Sequence, residues 1–124
     1  MKIGKTIASV RKEKGLKQYQ LARMSGMSKS YLSEIENDYK TPDLNILEKI
    51  SSALNVPINI LIFKATNEED VHEPEKKRFI KDIKPLMDKI IDELYGLENS
   101  QSIKDEPNYV DITKKLNLLV STES

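Results

Sequence analysis

Leu16 to Ile62 reads LKQYQLARMSGMSKSYLSEIENDYKTPDLNILEKISSALNVPINILI, a run of short apolar stripes at helical spacing, punctuated by turn residues. Leu21, Ala22 and Met24 form one stripe, which runs into Ser25-Gly26-Met27, where glycine permits the positive φ of a tight turn. Ser28 is placed to cap the next helix, whose stripe is Tyr31, Leu32 and Ile35 and whose end is Glu36. Thr41-Pro42-Asp43 combines a turn with a capping aspartate. Leu44, Leu47, Ile50, Ala53 and Leu54 then follow a helical period that Asn55 can close, and Val56-Pro57 opens a last short helix through Ile58, Leu61 and Ile62.

Toward the N-terminus, Ile3, Ile7 and Val10 give one more helix, with Gly15 suited to a left-handed cap. Residues 1–64 are therefore expected to be a five-helix, all-α domain with short loops. Toward the C-terminus, residues 65–75 (ATNEEDVHEPE) are polar and acidic and read as a linker. In that stretch His72 stands alone, and Glu68-Glu69-Asp70 lacks the glycine that a metal-binding loop would need, so neither predicts a metal site.

Residues 76–124 are expected to be a helical oligomerisation or regulatory region. Ile80, Ile83, Met87, Ile90, Leu94 and Leu97 are spaced like a coiled-coil seam, with Phe79, Leu86 and Ile91 widening the apolar face. Such a face must be covered, either by a second copy of the chain or by the first domain; dimerisation is the favoured reading. Pro85 removes a backbone donor and disfavours helical geometry at Lys84, which predicts a kink or, preferably, a break into two helices. Tyr109, Ile112, Leu116, Leu119 and Val120 fit a final helix or a strand.

The formal net charge of the 124 residues is zero, but the two halves differ. Residues 1–64 hold 11 Lys and Arg against 6 Asp and Glu, a net +5, while residues 65–124 hold 9 against 14, a net −5. The first half is thus suited to phosphates and the second is not. There is no cysteine, no long apolar run and no secretory signal pattern, which predicts a cytoplasmic location. No phosphate-binding glycine loop, paired carboxylates or nucleophile–base set is present, so an enzyme is not expected and no cofactor is implied.

The stretch from Leu16 to Ile62 resembles the phage repressor and Cro family of helix-turn-helix transcriptional regulators, also called the xenobiotic-response-element family. The likeness rests on several positions together: Gln18, Leu21-Ala22, Gly26, Ser28, Ile35-Glu36-Asn37, Pro42 and Leu54-Asn55-Val56. Lys29 to Glu36, KSYLSEIE, is also similar to the recognition segment of biofilm regulators of the SinR kind. The resemblance implies a lambda-repressor-like fold that binds double-stranded DNA, with the third helix in the major groove.

By that resemblance Lys29, Ser30 and Glu34 occupy base-reading positions, and Ser33 lies on the same outward face. Lysine suits guanine O6 or N7, serine suits several bases, and glutamate suits the amino group of cytosine. Gln18, Asn37 and Lys40 match backbone-contacting positions, with Tyr31 a further candidate through its hydroxyl. Lys17 stands where the family usually has a capping Ser or Thr; a cation there is unfavourable unless a phosphate is near. Arg11 and Glu36 match an ion pair tying the first helix to the third, and so are read as orienting residues. Asp38 replaces a frequent glycine or base in the turn after the third helix.

The leading expectation is a homodimeric repressor of a palindromic operator, with half-sites about one DNA turn, or a multiple of it, apart. The competing one is an antitoxin or regulator whose C-terminal helix mainly binds another protein. A small-molecule effector acting on that helix is a further partner class.

Overall fold

Helix ends in this chain are set by local chemistry, and most of the capping groups named above are found in place. In the computed structural model, residues 2–97 are described. They form helices α1 (Ile3–Glu13), α2 (Gln18–Met24), α3 (Lys29–Glu36), α4 (Leu44–Leu54) and α5 (Ile58–Ala65). A 3-10 turn, Glu68–Asp70, then leads to α6 (Pro74–Leu94), and no strand occurs among the described residues. The Ser28 hydroxyl accepts from Tyr31 N at 3.1 Å, and Asp43 Oδ1 accepts from Ile46 N at 2.8 Å. Each cap satisfies an amide at a helix start, which stabilises by about 1 kcal/mol. Asn55, at φ 56° and ψ 40°, closes α4 in the left-handed conformation.

One core unites the first five helices. Ile7, Val10, Leu21, Leu32, Ile35, Ile50 and Leu61 expose no surface, and Ala22, Leu54 and Val56 join them. Each such aliphatic side chain stabilises by about 1.5–3 kcal/mol relative to exposure. The small Ala22 is buried in α2, which packs on both α3 and α4. Helix α1 packs on α3, α4 and α5, and α2 packs on α3 and α4, so both tie α3 to the rest of the domain.

Three features of the second half differ from the sequence-based expectation. The stretch read as a linker, 65–75, is partly folded: α5 extends to the buried Ala65, Asn67 N donates to Asp70 Oδ2 at 2.8 Å in the 3-10 turn, and α6 begins at Pro74. Proline at a first helical position costs no hydrogen bond, which is why the acidic stretch ends there.

Second, α6 runs through Pro85 as one helix rather than breaking. Proline costs its helix the bond to the carbonyl four residues earlier, that of Lys81. Both Pro85 and Lys81 are exposed, so water can take that carbonyl, while Ile91 and Asp92 further along the helix are buried.

Third, Leu97 is not available to a seam. It is 1% exposed and belongs to the same core as Ile7 and Leu61. The chain turns there because Gly96 adopts φ 67°, and Leu97 N donates to Asp92 O at 2.8 Å, which swings the leucine under the first domain. Lys64 Nζ meets Asp92 Oδ1 at 2.6 Å with both side chains largely buried, Lys84 Nζ donates to Lys64 O, and Lys14 Nζ donates to Tyr95 O. The end of α6 is therefore built into the domain. The segment with Tyr109, Ile112, Leu116, Leu119 and Val120 lies outside the described residues.

Candidate nucleic-acid interface

Helix α3 buries Leu32, Ile35 and Glu36 and leaves its first two residues, Lys29 and Ser30, exposed. The turn before it is tight: Met27 N donates to Ala22 O at 2.9 Å, and Gly26 takes φ 69°. This fixes α3 against α2 with its N-terminal turn facing out. Ser33 and Glu34, one turn further on, are half-buried. Lys29, Ser30, Ser33 and Glu34 thus share one polar face, of the length and chemistry that a major groove accepts.

At the C-terminal end of α3 lies a buried polar cluster. Arg11 Nε donates to Glu36 Oε2 at 2.8 Å and Nη2 to Glu36 Oε1 at 3.0 Å, while Nη1 donates to Leu16 O at 2.9 Å. Gln18 Nε2 adds a third bond to Glu36, reaching Oε1 at 3.0 Å. A single carboxylate on α3 is thereby held by α1 and by the start of α2. A two-point guanidinium–carboxylate pair fixes orientation as well as distance. Gln18 is thus drawn inward by one of its N–H groups, onto the carboxylate that Arg11 holds.

Lys17 does not cap α2 with its side chain. Instead its own N–H donates to Gln20 Oε1 at 2.8 Å, the reciprocal half of a capping box. The missing Ser or Thr is thus partly replaced from within the helix, and the exposed Lys17 ammonium stays at the helix start.

After α3 the backbone turns sharply at Asp38, which adopts φ 61° without being glycine. Its Oδ1 accepts from Gly4 N at 3.1 Å, so the aspartate that replaces the frequent glycine has an internal role at the N-terminal end of α1. Asn37 Nδ2 donates to Ser33 O at 2.8 Å and to Ser33 Oγ at 3.3 Å. Lys40 Nζ lies 3.2 Å from Glu34 Oε2 and 5.4 Å from the centre of the Tyr31 ring.

Two lysines were not singled out from the sequence. Lys5 and Lys12, exposed on α1, line a hollow of about 540 Å³ together with Gln18 and Asn37, and the Arg11–Glu36 pair also lines it. Their separation of seven residues, two helical turns, was the signal that they share a face. They give the hollow beside Glu36 and Asn37 a cationic border.

A helix-turn-helix family model matches residues 7–61, the span from α1 to α5 that builds this face. The immunity repressor protein of Bacillus phage phi105 is 33% identical over 90 residues, 73% of this chain and 62% of that protein. The HTH-type transcriptional regulator SinR of Bacillus licheniformis is 43% identical over 72 residues, 57% of this chain and 61% of its own length. This chain belongs to the helix-turn-helix family. Its fold agrees with that membership: the crystal structure of the clp gene regulator ClgR from C. glutamicum is similar at a TM-score of 0.51 and 30% identity, over 52% of this chain and 83% of that one. The helix-turn-helix chain described here spans about three-fifths of the length of the two curated relatives. Among the described residues, no single helix is long and apolar enough to cross a membrane.

Proposed function

We propose that this helix-turn-helix protein is a sequence-specific repressor that binds a palindromic operator in double-stranded DNA as a homodimer. The observation that carries the reading is the presentation of α3: its N-terminal turn, Lys29 and Ser30, is exposed while Glu36 at its other end is locked by Arg11 and Gln18. A recognition helix must be accessible and rigid at once, since base edges are read by bonds of fixed direction. Two relatives carry regulator or repressor in their names, in agreement with this role.

In this reading Lys29, Ser30, Ser33 and Glu34 face base edges. Lys17, Gln18, Asn37 and Tyr31 hold the backbone, joined by Lys5 and Lys12 from α1. Lys40, placed by its sequence position with the phosphate contacts, is taken up below. The chemistry is binding, not catalysis, and the site of action is the cytoplasm.

The dimer contact falls on α6, whose exposed apolar residues include Phe79, Leu86 and Leu94, with Ile80, Ile83, Met87 and Ile90 half-buried. Leu97 is excluded from that contact by its place in the core.

Selection of binding sites from a random duplex library with the full chain tests the proposal. A two-fold symmetric consensus supports it, and equal affinity for selected and scrambled duplexes at physiological salt overturns it.

A further inference from the structure

Sequence position alone puts Lys40 among the phosphate contacts, but its surroundings point elsewhere. Its ammonium is 3.2 Å from Glu34 Oε2 and rests 5.4 Å from the Tyr31 ring centre, both partners on α3. The main chain makes the same return: Tyr39 N and Lys40 N both donate to Glu34 O, at 2.9 and 3.2 Å. The turn that allows this is held by Asp38, at φ 61° and bonded to Gly4 N. Lys40 therefore meets Glu34 twice, through backbone and side chain, on a loop whose path is fixed by the protein itself.

A glutamate turned toward DNA has an electrostatic problem, because the phosphates repel it. A lysine bonded to one carboxylate oxygen reduces that repulsion and limits the rotamers of the glutamate, while the remaining lone pairs can still accept a hydrogen bond. The Tyr31 ring beneath the ammonium keeps the lysine on that side of the helix.

We propose that Lys40 is a positioning residue for base reading: it neutralises and orients Glu34 so that this carboxylate accepts from a cytosine amino group. This rests on the DNA-reading proposal above, and it changes what loss of Lys40 does. A phosphate contact, when removed, weakens all sequences about equally and lowers the salt slope by about one. A positioning residue, when removed, relaxes the preference at one base pair.

The experiment uses the full chain and a selected duplex in four versions, differing at the base pair whose preference Glu34→Ala removes. Affinities are measured over a range of salt for the unaltered chain, Lys40→Met, Lys40→Arg, Glu34→Ala and the Lys40→Met/Glu34→Ala double variant. The expected result is that Lys40→Met lowers the preference at that pair by about tenfold. Glu34→Ala does the same, the double variant goes no further, and Lys40→Arg restores most of the preference. Equal weakening of all four duplexes by Lys40→Met, with a shallower salt dependence, overturns the inference while leaving the repressor reading intact. A consensus with no base pair sensitive to Glu34→Ala also overturns it. No consensus with the unaltered chain overturns the repressor reading, and this inference with it.

Discussion

Arg11 on α1 and Glu36 on α3 are joined by two hydrogen bonds of 2.8 and 3.0 Å, and both side chains are at least nine-tenths buried. The pair holds the C-terminal end of the helix that starts with Lys29 and Ser30, so the geometry of α3 is set by an ionic contact as well as by Leu32 and Ile35. Removing one partner strands the other charge in a poorly solvated place. Glu36→Ala is expected to cost about 3–5 kcal/mol, read as a lower midpoint in urea unfolding. Glu36→Gln keeps a neutral acceptor for Arg11 and should cost less; equal losses would mean that the neutral acceptor recovers nothing and that the charge alone carries the contact.

Gly4 has a role that its helix position conceals. A Cβ built on it would lie 2.0 Å from Ile35 O and 2.6 Å from Asp38 Oδ1. Helix α1 approaches the end of α3 too closely there for any side chain. Gly4→Ala, which normally favours a helix, is instead expected to destabilise by about 1–3 kcal/mol and lower the thermal midpoint. An unchanged or raised midpoint would mean that α1 and α3 are not in this contact.

Leu97 makes the first domain depend on the end of α6. Leu97→Ala is expected to cost about 2–5 kcal/mol in global unfolding, as for other fully buried leucines. A truncated chain ending at residue 64 should lose stability as well, since Leu97, Ile91 and the Lys64–Asp92 pair are removed together. A fragment as stable as the full chain would show that α6 does not dock.

The proposed dimer is tested at Leu94, which is 72% exposed and can be changed without disturbing the core. In sedimentation equilibrium, Leu94→Glu should weaken self-association by roughly tenfold or more while leaving the thermal midpoint of the monomer in place. Unchanged association would move the contact to another face.

Local signals explain what the sequence disclosed. Ser28, Asp43, Asn55, Gly15 and Gly26 act on amides, carbonyls or φ angles within a few residues, so their positions mark helix ends directly. Leu21, Leu32, Ile35 and Ile50 fall in the core as their stripes predict, whereas Met24 and Leu44 of the same stripes are exposed. Other features depend on partners distant in the chain, and spacing carries no trace of them: Gly4 against Ile35, Asp38 on Gly4, Lys14 on the Tyr95 carbonyl. Leu97 shows the difference clearly. Its spacing extends the seam of α6, but Gly96 ends the helix first and the leucine takes a core site instead. Gln18 shows it within the candidate interface, where a residue assigned to phosphate also supports Glu36.

If the exposed start of α3 reads DNA sequence, Lys29 is the residue whose loss shows it, because its side chain is exposed and lies outside the core. The measurement is the ratio of affinities for the selected operator and a scrambled duplex, at one physiological salt concentration, before and after Lys29→Ala. The expected result is a fall in that ratio of roughly five- to a hundredfold, with unchanged thermal stability. A ratio that stays the same, with both affinities lowered together, would contradict base reading by α3 and reduce Lys29 to a charge near the phosphates.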